Sequence, residues 1–106
     1  MYINSKLYDK MEIRITDLAK QMDCSLEELE PFMTAVRINK WKITVDQFYL
    51  WLNNLLENKS PEVILKTDCV SVSMLIRLVQ DERRNKKLHL KSIATIEAVA
   101  NQIRNI

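Results

Sequence analysis

ITDLAKQMDCSLEELEPFMTAVRINKWKITVDQFYLW, residues 15–51, decides the fold, because it strings two helix signals, a sharp break, an alternating segment and a third helix signal into one run. Ile15, Leu18, Ala19 and Met22 follow the i, i+3, i+4, i+7 spacing that lines one face of a helix with apolar side chains. Asp23, Cys24 and Ser25 break that pattern. Ser25 followed by Glu28 has the spacing of a capping box, in which two side chains satisfy backbone N–H groups left open at a helix start, so a second helix is expected from Leu26. Pro31 falls well past its first turn. Lacking an N–H, it should kink that helix or shorten it to one beginning near Pro31 itself, leaving Thr34 and Arg37 exposed. Residues 38–43 alternate polar and apolar, as a short half-buried strand or hairpin does. Thr44 with Gln47 makes a second capping box, opening a largely apolar helix with Val45, Phe48, Tyr49, Trp51, Leu52 and Leu55.

Working outward, residues 1–10 read as a lead-in strand or helix with Tyr2, Ile3, Leu7, Tyr8 and then Met11 available for packing. Ser60 suits an N-cap and Pro61 the first position of a short helix through Val63, Ile64 and Leu65. Val72, Leu75, Ile76 and Val79 repeat at helical spacing, predicting a helix that runs to about Arg83. The polar run 81–87 ends it. Ser92 is expected to cap a last helix with Ile93, Ile96, Val99, Ala100 and Ile103 on one stripe, which either packs on residues 72–79 or pairs with a second copy in a homodimer.

The 106 residues suit one domain, and 47% hydrophobic with 28% charged residues is the composition of an ordinary globular chain. Glycine is absent, which argues against dinucleotide-binding and Walker-type phosphate loops and against multi-hairpin β folds, all of which need φ > 0 turns. Cys24 and Cys69 are far apart and each follows an Asp, and His89 is the sole histidine, so neither a disulfide framework nor a metal site is expected. Ser71 and Ser73 lack a histidine in any nucleophile motif, and a non-enzymatic protein without a cofactor is expected. No apolar run approaches the roughly 18 residues of a membrane span, and the first residues lack the apolar core of a signal peptide. A cytoplasmic protein without a membrane partner is expected.

Charge is uneven. Through Glu57 seven Lys and Arg face nine Asp and Glu, and from Asn58 onward nine face five, giving −2 and +4 within the net +2. The cations of the second half gather at Arg83, Arg84, Lys86, Lys87 and Lys91, where they can contact phosphates or simply form a solvated helix end.

Residues 15–51 resemble the winged helix-turn-helix of the excisionase and MerR-like families. The resemblance rests on residues 15–22 as first helix, the tight turn after them, a recognition helix, a short wing, and the aromatic- and leucine-containing segment 42–52. Helical periodicity, the length and the lack of glycine predict a mainly α or all-α single domain, residues 1–106, and the resemblance adds a helix-turn-helix-like subregion at 15–57. A C-terminal helical subregion would follow at 60–106, and at most a short two-stranded wing would lie near residues 37–43. The resemblance also implies sequence-directed DNA binding by a small regulator or recombination accessory factor of the kind found in mobile elements. Thr34 and Arg37 would then lie nearest the bases, with Lys40, Lys42, Arg83, Arg84, Lys86 and Lys87 as positioning cations. The chain departs from the family at the start of the recognition helix, where Glu27, Glu28 and Glu30 would be repelled by a duplex. Those carboxylates support the rival expectation, a helical protein-interaction module such as an adaptor, inhibitor or assembly factor that binds a protein partner through an acidic helix face.

Overall fold

A computed structural model of the chain describes residues 9–36, 42–66 and 71–104. Among them the fold is mainly helical with one small antiparallel sheet. The elements run β1 (Ile13–Arg14), α1 (Ile15–Met22), α2 (Leu26–Val36), β2 (Lys42–Ile43) and α3 (Val45–Asn58). They continue with α4 (Pro61–Lys66), α5 (Val72–Gln80), α6 (Glu82–Asn85) and α7 (Leu90–Arg104).

Local chemistry accounts for most of these boundaries. Helix α1 buries Ile15, Leu18, Ala19 and Met22, the four residues whose spacing marks it, and stops at Asp23, which takes the left-handed conformation at φ 54°. The Cys24 N–H then bonds back to the Ala19 carbonyl at 3.0 Å, closing the turn. Ser25 Oγ accepts from the Glu28 N–H at 3.2 Å and starts α2. At α3 both halves of the capping box form: Thr44 Oγ1 accepts from the Gln47 N–H at 3.1 Å and Gln47 Oε1 from the Thr44 N–H at 3.0 Å. Ser60 caps α4 through the Val63 N–H at 3.3 Å, and Ser71 caps α5 through the Met74 N–H at 3.3 Å.

Four expectations change. Helix α2 is continuous from Leu26 to Val36 with Pro31 inside it, so the shorter helix beginning near Pro31 does not occur. The proline deprives the Glu27 carbonyl of its i+4 donor, at a residue that is exposed. The described part of the extended segment, Lys42–Ile43, pairs with Ile13–Arg14, ahead of α1, with Ile13 opposite Ile43 and Arg14 opposite Lys42. Helix α5 ends at Gln80 rather than near Arg83, because Asp81 turns its carboxylate to the Arg83 N–H at 3.0 Å and starts α6. Finally, α7 begins before Ser92, since the His89 carbonyl already accepts from the Ile93 N–H at 3.0 Å; Ser92 is buried and its hydroxyl has no partner.

The core runs through both halves of the chain. Phe32 of α2 meets Phe48 of α3 edge-on at 5.2 Å, and Trp51 closes on Phe32 at 5.1 Å. The Tyr49 hydroxyl, buried beside α1, donates to Met22 Sδ at 3.6 Å. Helix α7 packs on α3, α4 and α5. The two central residues of its stripe, Ile96 and Val99, are therefore buried within the chain, while Ile103 stays exposed.

One polar side chain sits inside this seam. Asn53 is buried on α3, donates to the Lys87 carbonyl at 3.2 Å and accepts from the His89 N–H at 2.9 Å. Leu88, between those two residues, is buried in the core. Substituting Asn53→Ala strands both backbone groups and should cost about 2 kcal/mol, lowering Tm by roughly 10 °C in a thermal melt followed by circular dichroism. An unchanged melt would show that the loop holds without this amide.

Candidate functional site

The turn between α1 and α2 and the surfaces around it hold most of the chemistry. The Ser25 cap sets the first turn of α2, and Leu29 and Phe32 of that helix face the core. The spacing therefore puts Glu27, Glu30 and Thr34 in one outward row, and all three are exposed. Glu28 departs from them. Its Oε2 accepts from Arg77 Nη2 of α5 at 3.0 Å, so the carboxylate that a full capping box would turn back to Ser25 is spent on an ion pair. Arg77 also donates from Nη1 to the Asp23 carbonyl and from Nε to the Ser73 carbonyl at 3.4 Å.

The β1–β2 ladder adds a second feature. Arg14 and Lys42 are direct cross-strand partners, and both are exposed. Cβ atoms in such a pair lie roughly 5 Å apart, where like charges repel. Arg14 reaches Asp17 at 4.0 Å, a long contact between two exposed side chains that does little to offset the repulsion.

The cations of the second half separate into two groups. Arg84 pairs with Asp81 at 3.5 Å, and Lys87 is half-buried against Asp9, a buried carboxylate. Desolvation at that position lowers the Lys87 pKa from the usual lysine range. Arg83, Lys86 and Lys91 are exposed and enter no ion pair among the described residues. Of the cations assigned from sequence, Lys42, Arg83 and Lys86 are thus open to a ligand, whereas Arg84 and Lys87 are engaged within the fold. Arg37 and Lys40 lie outside the described residues. The sequence reading missed Arg14 and Arg77. The only local sign of Arg14 is the alternation Ile13-Arg14-Ile15, and Arg77 gives none, since Glu28 and Asp23 lie 49 and 54 residues away.

Among the described residues, no group of three or more His, Cys, Asp and Glu side chains is placed to hold a metal ion. None of the described helices is long and apolar enough to cross a membrane. Cys24 sits at the turn itself, half-buried. Burial pushes its thiol up to about 11; Glu28 adds to the rise, and Arg77 and Arg84 oppose it. Burial likewise raises the Tyr49 phenol, with Arg84 opposing the rise and Asp81 adding to it.

Both shifts keep a neutral form in the folded state after the unfolded chain has released its proton, so folding stability falls as pH rises. For Cys24 the loss begins near the free thiol pKa of about 8.5 and is complete by about 11. The same shift suppresses the reactive thiolate. In a Cys69→Ser background, alkylation of Cys24 by iodoacetamide at pH 8 should run about a hundredfold slower than for a free thiol and should climb until pH approaches 11. A rate equal to that of free cysteine would mean that the turn leaves the thiol solvated. No family model, curated protein or solved structure matches this chain.

Proposed function

We propose that the protein is a small DNA-binding regulator or recombination accessory factor of the winged helix-turn-helix type. The observation that carries this reading is the cross-strand pair of Arg14 and Lys42. Like charges facing each other across a ladder cost stability, and a polyanion lying over the strands turns that cost into binding energy. The two strands also flank α1, the tight turn and α2, so the ladder ties together both ends of a helix pair, as in a helix-turn-helix with a wing at its base. In this reading α2 is offered to the major groove with Thr34 on its outward face, and the sequence between α2 and Lys42 adds two further cations, Arg37 and Lys40. Arg83 and Lys86 supply backbone contacts from α6 and the turn after it. Arg84 and Lys87 act indirectly, by fixing that segment against Asp81 and Asp9.

Glu27 and Glu30 favour a second reading. Both carboxylates stand exposed on α2 beside the exposed Leu26, a surface suited to a basic protein partner rather than to phosphate. In that reading the chain is a non-enzymatic interaction module, and the acidic face of α2 is its docking surface.

Fluorescence anisotropy of labelled duplex DNA at two salt concentrations separates the two. The parent should bind in a salt-sensitive manner. The Arg14→Ala, Lys42→Ala double variant should weaken binding to every duplex and reduce the magnitude of the log–log salt slope by about 2. A parent that leaves duplex unbound even at low salt overturns the DNA reading and directs the search to a basic protein partner.

A further inference from the structure

We infer that Arg77 is a positioning residue for the DNA contact, holding Glu28 off the duplex-facing side of α2 and fixing the turn from which α2 emerges. The inference rests on the DNA reading above and addresses its chief electrostatic difficulty, the carboxylates of α2. Three groups converge on the one guanidinium: the Ser73 carbonyl of its own helix at 3.4 Å, the Asp23 carbonyl, and Glu28 Oε2 at 3.0 Å. Asp23 is the left-handed residue that ends α1, so its carbonyl lies at the break between the two helices. Glu28 is in the first turn of α2. One side chain from α5 therefore grips the break and the start of the next helix together.

The charge consequence follows directly. With Glu28 neutralised, α2 presents Glu27 and Glu30 outward; with Arg77 removed, a third carboxylate in the same two turns loses its counterion. The Arg77 and Glu28 side chains are 37% and 28% exposed, so their interaction is screened only in part. A guanidinium suits this task because its planar fork can serve a carboxylate and a carbonyl at once, whereas an ammonium retains the charge without the fork.

A double-mutant cycle read on duplex affinity tests the inference, using a DNA that the parent binds and variants whose folding is confirmed by circular dichroism. Arg77→Met should weaken binding about tenfold, and Glu28→Gln in that background should recover most of the loss. In the parent background E28Q should change affinity by less than about threefold, because the charge it removes is already compensated. Glu27→Gln, the control, should shift affinity by the same factor with or without Arg77. R77K, which keeps the charge without the fork, should fall between the parent and R77M. R77Q, which keeps a donor for the Asp23 carbonyl without the charge, takes the place of R77M if that variant does not fold. A merely stabilising role for Arg77 would give no selective rescue by E28Q. A parent that binds DNA while R77M equals it, or while E28Q rescues nothing, overturns this inference alone. A parent that binds no duplex overturns the DNA reading and this inference with it.

Discussion

The buried carboxamide of Asn53 joins the helices of the first half of the chain to those of the second. Its neighbours on the inward side of α3, Phe48, Leu52 and Leu56, are apolar, so an amide in that row is tolerated only with its donor and acceptor both satisfied. The Lys87 carbonyl and the His89 N–H satisfy them. That bonding fixes the residues on either side of Leu88, seats Leu88 in the core and sets where α7 begins. The seam continues along α3, with His89 Nδ1 and Glu57 Oε1 2.5 Å apart and Thr95 Oγ1 donating to the Leu56 carbonyl at 3.1 Å. Packing of Ile96 and Val99 then follows from a helix whose start and direction are already determined.

Electrostatics divides the surface along the same lines. Two ion pairs join elements distant in sequence: Arg77 to Glu28, and Lys87 to Asp9. Such pairs are partly withdrawn from water and contribute to geometry more than to net stability. The charges left over are not mixed evenly. Arg14 and Lys42 stand together on the ladder, Arg83, Lys86 and Lys91 follow α5, and Glu27 and Glu30 stand on α2. The molecule thus presents exposed cations on the ladder and after α5, and exposed carboxylates on α2.

What the sequence revealed is what neighbouring residues decide. The buried face of α1, the Ser25 start of α2, the Thr44–Gln47 box and the Ser60 cap are all local, set by side chains three or four positions apart. The β1–β2 ladder escaped because each strand has two residues, too few for alternation to be distinctive, and its register is set by the helices between them. Pro31 shows the limit of a local rule: the packing of Leu29 and Phe32 on either side of it holds the helix together through a missing hydrogen bond. Ser92 shows another, since the bond between Asn53 and His89 starts α7 upstream of the hydroxyl that looks like its cap. At the candidate site, exposure of Thr34, Lys42, Arg83 and Lys86 agrees with their polar character, whereas the engagement of Glu28, Arg84 and Lys87 depends on partners that only the folded chain provides.

The left-handed residue at the end of α1 has a further consequence. In a chain without glycine, Asp23 adopts φ 54° and ψ 45°, the only positive φ among the described residues. An L-residue with a Cβ gives up roughly 1 kcal/mol of steric comfort there, yet it also samples fewer backbone states when unfolded than glycine does. Folding therefore removes less chain entropy at this junction, and thermal motion has fewer alternative dihedrals to explore. A glycine in its place would relieve the steric cost and at the same time give the unfolded chain more states to lose, so the two effects oppose each other at this junction.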